Sequence, residues 1–298
     1  MDAQTLLLEA IDARWNKYLE QLKLCRREFS EEAVHDLRVA ARRLLALVDL
    51  LRVITPHPRL KKIRAALKEQ LDEFDSLRDT QVMLAEISET IEKLPALKPF
   101  QKELQKRERR LLREAEEIIE ELKSSGIARR LEKVRTSLTE SGSGAELDGL
   151  LLRAVDESYL TVLRRYQWVD PAQPASIHRT RVAFKKFRYM LEIVHPLLPG
   201  FPTANFKRLH DYQTAMGEIQ DVEVFLNTLA DFIEQGETDG LEAVRRYYEQ
   251  HHTELIAAYL EDKGEIETFW RAEPDQPFPW SRPNNDMIKP VHNTGEKI

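Results

Sequence analysis

Two ten-residue stretches of the sequence carry histidine, arginine and lysine at the spacing of a single helix face. "VHDLRVAARR" occupies residues 34–43, and "IHRTRVAFKK" occupies residues 177–186. Arginine presents a fork of donors to phosphate, lysine presents a compact charge, and histidine gains a proton near neutral pH. Residue types with these properties, placed at this spacing, favour the binding of an anion.

The cations form stripes beside the apolar faces of the predicted helices. Val34, Leu37, Ala41, Leu44 and Val48 recur at helical spacing, as do Ile177, Phe184, Phe187 and Leu191. One residue is about 100° around an α-helix, so cations shifted by one residue form an adjacent stripe. The stripe residues are His35, Arg38 and Arg42 in the first helix, and His178, Arg181, Lys185 and Arg188 in the second.

The next helix of each half repeats the arrangement. Each of its cations follows an apolar residue by one position; these apolar residues are Leu60, Ile63, Leu67, Phe206 and Leu209. We add these cations to the candidate site: Lys61, Arg64, Lys68, Lys207 and His210.

A solvated helix face is the alternative explanation of such a stripe. Solvated faces usually mix acids and bases four residues apart, as the segment at 102–123 does, whereas the stripes contain no acid. Like charges at this spacing disfavour a helix by a few tenths of a kcal/mol per pair. An anion that relieves this repulsion therefore explains the pattern better.

Motifs for catalysis are missing from the sequence. It contains no GxxxxGK[ST] or GxGxxG loop, no HExxH and no CxxC. Asp79 and Asp221 occupy matching positions in the two halves, and we expect them to anchor cations or helix ends. We expect no catalytic residue, no metal ligand, no cofactor and no enzymatic activity.

The composition favours long helices. The chain has 298 residues, of which 42% are hydrophobic, 32% are charged and only 10 are glycine, so an all-α fold is predicted. Proline pairs and the "SGSG" at 141–144 divide it into four expected helices before this linker and four after it. Ser30 and Ser176 are the expected N-caps of the two histidine-bearing helices.

The two sets of helices are predicted to be copies of one unit. "LLLEAIDARW" at 6–15 returns as "LLLRAVDESY" at 150–159, and "LRDTQVML" at 77–84 returns as "IQDVEVFL" at 219–226. We therefore expect one domain over residues 1–272, with repeat one at about 1–140, a linker at 141–144 and repeat two at about 145–272. The Pro- and Asn-rich tail, 273–298, is expected to be disordered.

The charge and the cysteine content of the sequence limit where the protein is expected to be located and what it is expected to bind. Asp and Glu outnumber Lys and Arg by 51 to 45, so anion binding must come from local clustering. A single cysteine and the absence of a basic leader indicate a cytoplasmic protein, and no apolar run is long enough for a membrane span.

The motifs resemble the paired signatures of the CHAD family, an α-helical domain named for its histidines. "VHDLRVAARR" with "LRDTQV", and "IHRTRVAFKKFRYMLE" with "IQDVEV", carry the resemblance, which covers roughly residues 5–270. It implies two four-helix bundles related by a pseudo-twofold axis, with basic helices facing a shared groove or pore that binds inorganic polyphosphate. Matching the signature adds Arg43 and Lys186 to the site, and association with polyphosphate granules would follow from the same ligand.

The sequence departs from this pattern at two positions. Leu45 stands where Arg188 stands in the other half, and Thr180 replaces Leu37. The first difference is expected to make the two walls of the groove unequal in charge.

Two other functions stay open. A nucleic-acid-binding helical protein would also use stripes of Arg and Lys, although the first-half stripe offers no aromatic or amide for bases. A histidine phosphotransfer module also places a histidine on a helical bundle, but Val39 and Val182 occupy the position where a small residue is usual. Non-catalytic binding of polyphosphate is the favoured function.

Overall fold

The protein is helical throughout the part of the chain that the structure describes. The computed structural model describes residues 2–140, 145–236 and 239–281, and these ranges contain α-helices and short 3-10 turns but no strand. The all-α prediction is confirmed. No helix in these ranges is both long enough and apolar enough to cross a membrane.

Ten α-helices lie within the described residues. In chain order they are α1 Ala3–Arg27, α2 Glu31–Ile54, α3 Pro58–Glu73, α4 Asp75–Thr90, α5 Lys98–Glu121, α6 Ser125–Glu140, α7 Ala145–Tyr166, α8 Pro174–Val194, α9 Ala204–Glu234 and α10 Leu241–Asp262.

The number of helices differs between the two halves of the chain. In the part of the chain that the structure describes, six helices precede residue 141, where four were expected, and four follow it. The backbone turns at Phe74, so that α3 and α4 are separate, and it becomes extended at Leu122 after α5. No proline or glycine marks the break at Phe74, whereas Gly126 follows the second break, inside the first turn of α6. The predicted linker, 141–144, lies outside the described residues.

The two expected N-caps have different outcomes. The Ser30 hydroxyl accepts a hydrogen bond from the Ala33 N–H at the start of α2, so that prediction is confirmed. The prediction for Ser176 is wrong, because α8 already begins at Pro174, whose fixed φ suits the first position of a helix. The Ser176 side chain instead bonds the backbone N–H and C=O of Asp170.

Helix α2 lies at the centre of the fold. It packs against α1, α3, α7 and α8, and every apolar position predicted to face the core in α2 and α8 is buried. A smaller second core forms where α4 and α5 meet α9 and α10, around Phe100, Phe225 and Tyr248. Contacts between the two halves of the chain include those of α2 with α8 and of α4 with α9.

Packing extends beyond residue 272. Phe278 and Trp280 stack with ring centroids 4.6 Å apart, and Phe278 lies 4.8 Å from the buried Trp270. Trp280 also meets Phe201 edge-on. Phe278 and Trp280 therefore pack against the folded body through their aromatic rings, and the disorder expected of the tail stays a prediction. The remainder of the predicted tail lies outside the described residues.

Candidate functional site

A cleft of about 630 Å³ opens between α2, α3, α4, α8 and α9. Nine of the fourteen residues proposed from the sequence line it, and both histidines are among them. The basic residues of the cleft, including one that the sequence analysis did not propose, are His35, Arg38, Arg42, Arg64, Lys68, Arg78, His178, Arg181, Lys185 and Lys186.

The other five proposed residues lie outside this cleft. Arg43 lines a second cleft, of about 460 Å³, and its Nε lies 3.7 Å from a carboxylate oxygen of Glu192. Arg188 also pairs with Glu192, at 3.3 Å. The three remaining residues are exposed on α3 or α9: Lys61, Lys207 and His210.

Helix geometry explains these exclusions. Arg43 follows Arg42 by one residue, about 100° around α2, and so faces α1 instead of α4. Because Arg188 does not line the cleft, the difference between Leu45 and Arg188 adds no charge to one wall there, contrary to expectation.

Arg38 is held by the fold. Its side chain is 3% exposed, its Nη1 donates to the Leu71 carbonyl at 2.9 Å, and its Nη2 donates to the Asp75 carboxylate at 2.6 Å. These bonds join α2 to the end of α3 and the start of α4. Arg38 therefore holds together the helices that form the wall of the cleft, and it also contributes positive charge to the cleft.

Two further cations of the cleft have acidic partners on other helices. Arg64 of α3 donates to Asp49 of α2 at 2.8 Å, and Arg78 of α4 lies 3.7 Å from Glu31 of α2. A stripe examined along a single helix shows none of these acids, because they approach from neighbouring helices.

A second group of cations has no acidic partner. Among the described residues, no carboxylate lies within 4.0 Å of Arg42, Arg181, Lys185 or Lys186. The first three are partly buried, whereas Lys186 is exposed. Charges that have lost part of their hydration and have no counter-ion are costly, so this group creates a strong preference for an anion.

The pKa values reflect this unbalanced charge. Burial lowers the pKa of Lys185 to about 7, and the nearby charges of Arg42 and Arg181 act in the same direction. Burial also lowers the pKa of Arg42, with Arg38 contributing. The pKa of His35 is lowered by burial and then by the charge of Arg78. In each case burial and the neighbouring cations disfavour the charged form, and an anion bound in the cleft would reverse that preference.

Arg181 fits against a glycine of α9. A Cβ placed on the buried Gly217 would lie 3.4 Å from the Arg181 Nε and 3.5 Å from its Nη2. The Arg181 Nε and the His178 Nδ1 are buried and have no hydrogen-bond partner among the described residues. Because Gly217 has no side chain, the Arg181 guanidinium can pack closely against α9 at this position.

Asp79 and Asp221 do not behave as expected from the sequence. Both line the cleft, yet neither forms an ion pair or a side-chain hydrogen bond within the described ranges. Burial raises the pKa of both carboxyls, and for Asp79 the charges of Asp75 and Asp221 add to this. Asp75 and Asp49 anchor the cations instead, because they lie within reach of Arg38 and Arg64.

Sequence reasoning missed Arg78. It belongs to the cleft and also lines a neighbouring, more acidic cleft between α4, α9 and α10. The sequence did contain a signal for Arg78, because this residue lies inside the "LRDTQV" motif. Gly217 had no comparable signal, since an isolated glycine in a helix does not reveal which side chain packs over it.

Comparison with known proteins bears on the fold and the family. The model of the CHAD domain family matches residues 9–230. The crystal structure of the CHAD domain from the plant Ricinus communis has a TM-score of 0.64 at 21% identity, and the match covers 90% of this chain and 92% of that one. PptA from Streptomyces chartreusis has a TM-score of 0.63 at 15% identity, with 89% and 100% covered. No curated protein matches the chain.

Proposed function

The chain belongs to the CHAD family, and from that premise we propose that it binds inorganic polyphosphate in the basic cleft without turning it over. The observation that carries the proposal is the group of unpaired cations: Arg42, Arg181 and Lys185 come from two helices, face one cleft and have no carboxylate within 4.0 Å among the described residues.

The chemistry of polyphosphate suits this arrangement. Each internal unit of the chain carries one negative charge and offers several oxygen acceptors but no base. A row of forked and compact cations is therefore sufficient to bind it, and guanidinium groups give it two parallel hydrogen bonds. Arg42 and Arg181 would supply such contacts, with Lys185 and Lys186 adding charge farther along α8.

The cleft is less suited to binding nucleic acid than to binding polyphosphate. Single strands usually bind through aromatic side chains on which bases stack. Tyr189 lines the cleft, but it is only 7% exposed, and its ring lies 5.2 Å from the Arg188 guanidinium carbon. The described lining of the cleft thus contains many cations, while its one tyrosine is too buried to offer a free stacking surface.

A competition experiment tests the proposed ligand. Long-chain polyphosphate should displace a fluorescent polyphosphate probe at a phosphate concentration at which duplex DNA does not, because the cleft admits a thin chain and excludes a duplex. The double variant Arg42→Gln/Arg181→Gln should lose most of the affinity. The matched control is Arg109→Gln, on the exposed face of α5. Equal competition by DNA would favour the nucleic-acid function.

Turnover is tested in the same preparation. Polyphosphate incubated with the protein should release orthophosphate no faster than the buffer control, and a labelled phosphodonor should leave His35 and His178 unlabelled. Release that disappears in the Arg42→Gln/Arg181→Gln variant would contradict the non-catalytic proposal, and labelling of either histidine would support phosphotransfer. In cells, the protein should associate with polyphosphate granules only while these two arginines are present.

A further inference from the structure

Lys185 combines three properties that bear on its chemical reactivity as well as on the binding of polyphosphate. It lies on α8 facing the cleft, it has no carboxylate within 4.0 Å among the described residues, and the guanidinium groups of Arg42 and Arg181 line the same cleft. The adjacent Lys186 lies on the same helix but is exposed, whereas Lys185 is partly buried. Lys185 is therefore an amine in a phosphate-attracting environment.

The amine has nucleophilic character at neutral pH. Its pKa of about 7 leaves most of the side chain unprotonated at pH 7.5, whereas an ordinary lysine is neutral in roughly one molecule in a thousand. A lower pKa also reduces the intrinsic nucleophilicity, by about 0.4 to 0.5 log units per pKa unit if amines follow thiols. The gain in neutral amine is larger than this loss.

We propose that Lys185 is a site of acylation by small acyl phosphates, whose phosphate group the neighbouring guanidiniums hold. The Lys185 Nζ attacks the carbonyl carbon and forms a C–N bond. The bond between that carbon and the bridging oxygen then breaks, and orthophosphate leaves with the electron pair. The amine loses its proton to water, so the products are an amide and orthophosphate.

The modification would oppose polyphosphate binding. An amide at Lys185 cannot become an ammonium ion when a polyanion binds, so the affinity for a polyanion falls. Bound polyphosphate in turn covers Lys185 and favours its ammonium form, which does not react. This part of the inference rests on the proposed function, whereas the acylation itself requires only the cleft and its cations.

The reactivity of Lys185 depends on charged groups from four helices. Arg38 and Arg42 from α2 and Arg181 from α8 favour the neutral amine, whereas the carboxylates from α4 and α9 favour the ammonium ion. The carboxylates are Asp75 and Asp221.

Acetyl phosphate is the probe that tests the inference. The full-length protein is incubated with it at pH 7.5, and acetylation is followed at each lysine by mass spectrometry. Lys185 should react about tenfold faster than the exposed Lys186 and Lys17, as expected from the neutral fraction and the reduced nucleophilicity. Equal or faster reaction at Lys186 or Lys17 would overturn the proposal.

A second reagent separates phosphate binding from simple amine reactivity. N-hydroxysuccinimidyl acetate carries no phosphate, so Arg42→Gln/Arg181→Gln should lower the rate at Lys185 with acetyl phosphate more than the rate with this ester. An unchanged ratio of the two rates would contradict the role of the guanidiniums. Selective acetylation that polyphosphate fails to block would count against the proposed function and leave the acylation site intact.

Discussion

At the residue scale, the cations of the cleft divide into two groups with different consequences. Arg38 and Arg64 are bound by acids from other helices, and the bonds of Arg38 join three helices. Arg42, Arg181 and Lys185 have no such partner among the described residues. The first group therefore contributes to stability and the second group to ligand binding.

Arg38 and Arg42 should separate these two effects. Arg38→Gln leaves the Leu71 carbonyl and Asp75 without their buried donor, so we expect the free energy of unfolding to fall by about 1–3 kcal/mol. Arg42→Gln should leave the free energy of unfolding unchanged or raise it, because the substitution removes a repelling charge. The polyphosphate affinity of this variant should fall about tenfold, or roughly 1.4 kcal/mol. Urea unfolding and a binding titration measure the two quantities. Loss of stability in Arg42→Gln would contradict the grouping.

Lys185 should make binding depend on pH. A polyanion favours the ammonium form, so affinity should be highest below about pH 7 and should fall by up to about tenfold per pH unit above it. The lowered pKa of His35 acts in the same direction at more acidic pH. Titrations from pH 6 to pH 9 test this, and Lys185→Arg should flatten the profile above pH 7.

Stability should change in the opposite direction. Because the pKa of Lys185 is lower in the folded state, the unfolded chain binds the proton more readily between about pH 7 and the usual lysine pKa. The contribution of Lys185 to the free energy of unfolding therefore rises with pH over this window and should disappear in Lys185→Met. A wild-type affinity that rises together with stability over this window would refute the assignment to Lys185.

At the scale of single helices, periodicity predicted the buried faces well. The apolar stripes of α2 and α8 are buried throughout, and the start of α2 was found from Ser30. Each helix carries this information in its own sequence. The prediction missed the break after Phe74, and it could not find the acids that pair with Arg38 and Arg64, because those acids lie on other helices.

The contact between α8 and α9 offers a test at this scale. Gly217→Ala places a methyl group in ordinary contact with Arg181, so stability should rise by up to about 1 kcal/mol with little loss of affinity. Gly217→Leu extends into the space of the Arg181 guanidinium, so affinity should fall about as much as in Arg181→Gln. Both variants are compared by thermal unfolding and polyphosphate titration. Wild-type affinity in Gly217→Leu would show that the position of Arg181 is unimportant.

At the scale of the whole molecule, the net charge of −6 conceals a local excess of cations in the cleft. Helices from both halves of the chain contribute to it, namely α2, α3 and α4 from the first half and α8 and α9 from the second. The sequence predicted that the two histidine-bearing segments belong together. It could not show which stripe residues meet, because that depends on how the helices cross. The internal duplication and its twofold axis stay predictions.

The aromatic residues after 272 should support the fold and leave the site unaffected. Truncation after Gln276 uncovers Trp270 and Phe201, so the free energy of unfolding should fall by about 2–4 kcal/mol. Affinity for polyphosphate, measured at a temperature at which the truncated protein is folded, should be unchanged, since these rings do not line the cleft. A large loss of affinity would place part of the site in the tail.

The salt dependence of polyphosphate binding tests the central claim most directly, namely that the unpaired cations of both halves form one site. Affinity should fall with added salt, and Arg42→Gln/Arg181→Gln should lower the slope of log affinity against log salt by about one to two units, on the scaling known for nucleic acids. Arg109→Gln, on α5 and outside the cleft, should leave the slope unchanged. Equal reductions in the cleft variant and in Arg109→Gln would mean that polyphosphate binds to diffuse surface charge, and the account of a single cleft would be contradicted.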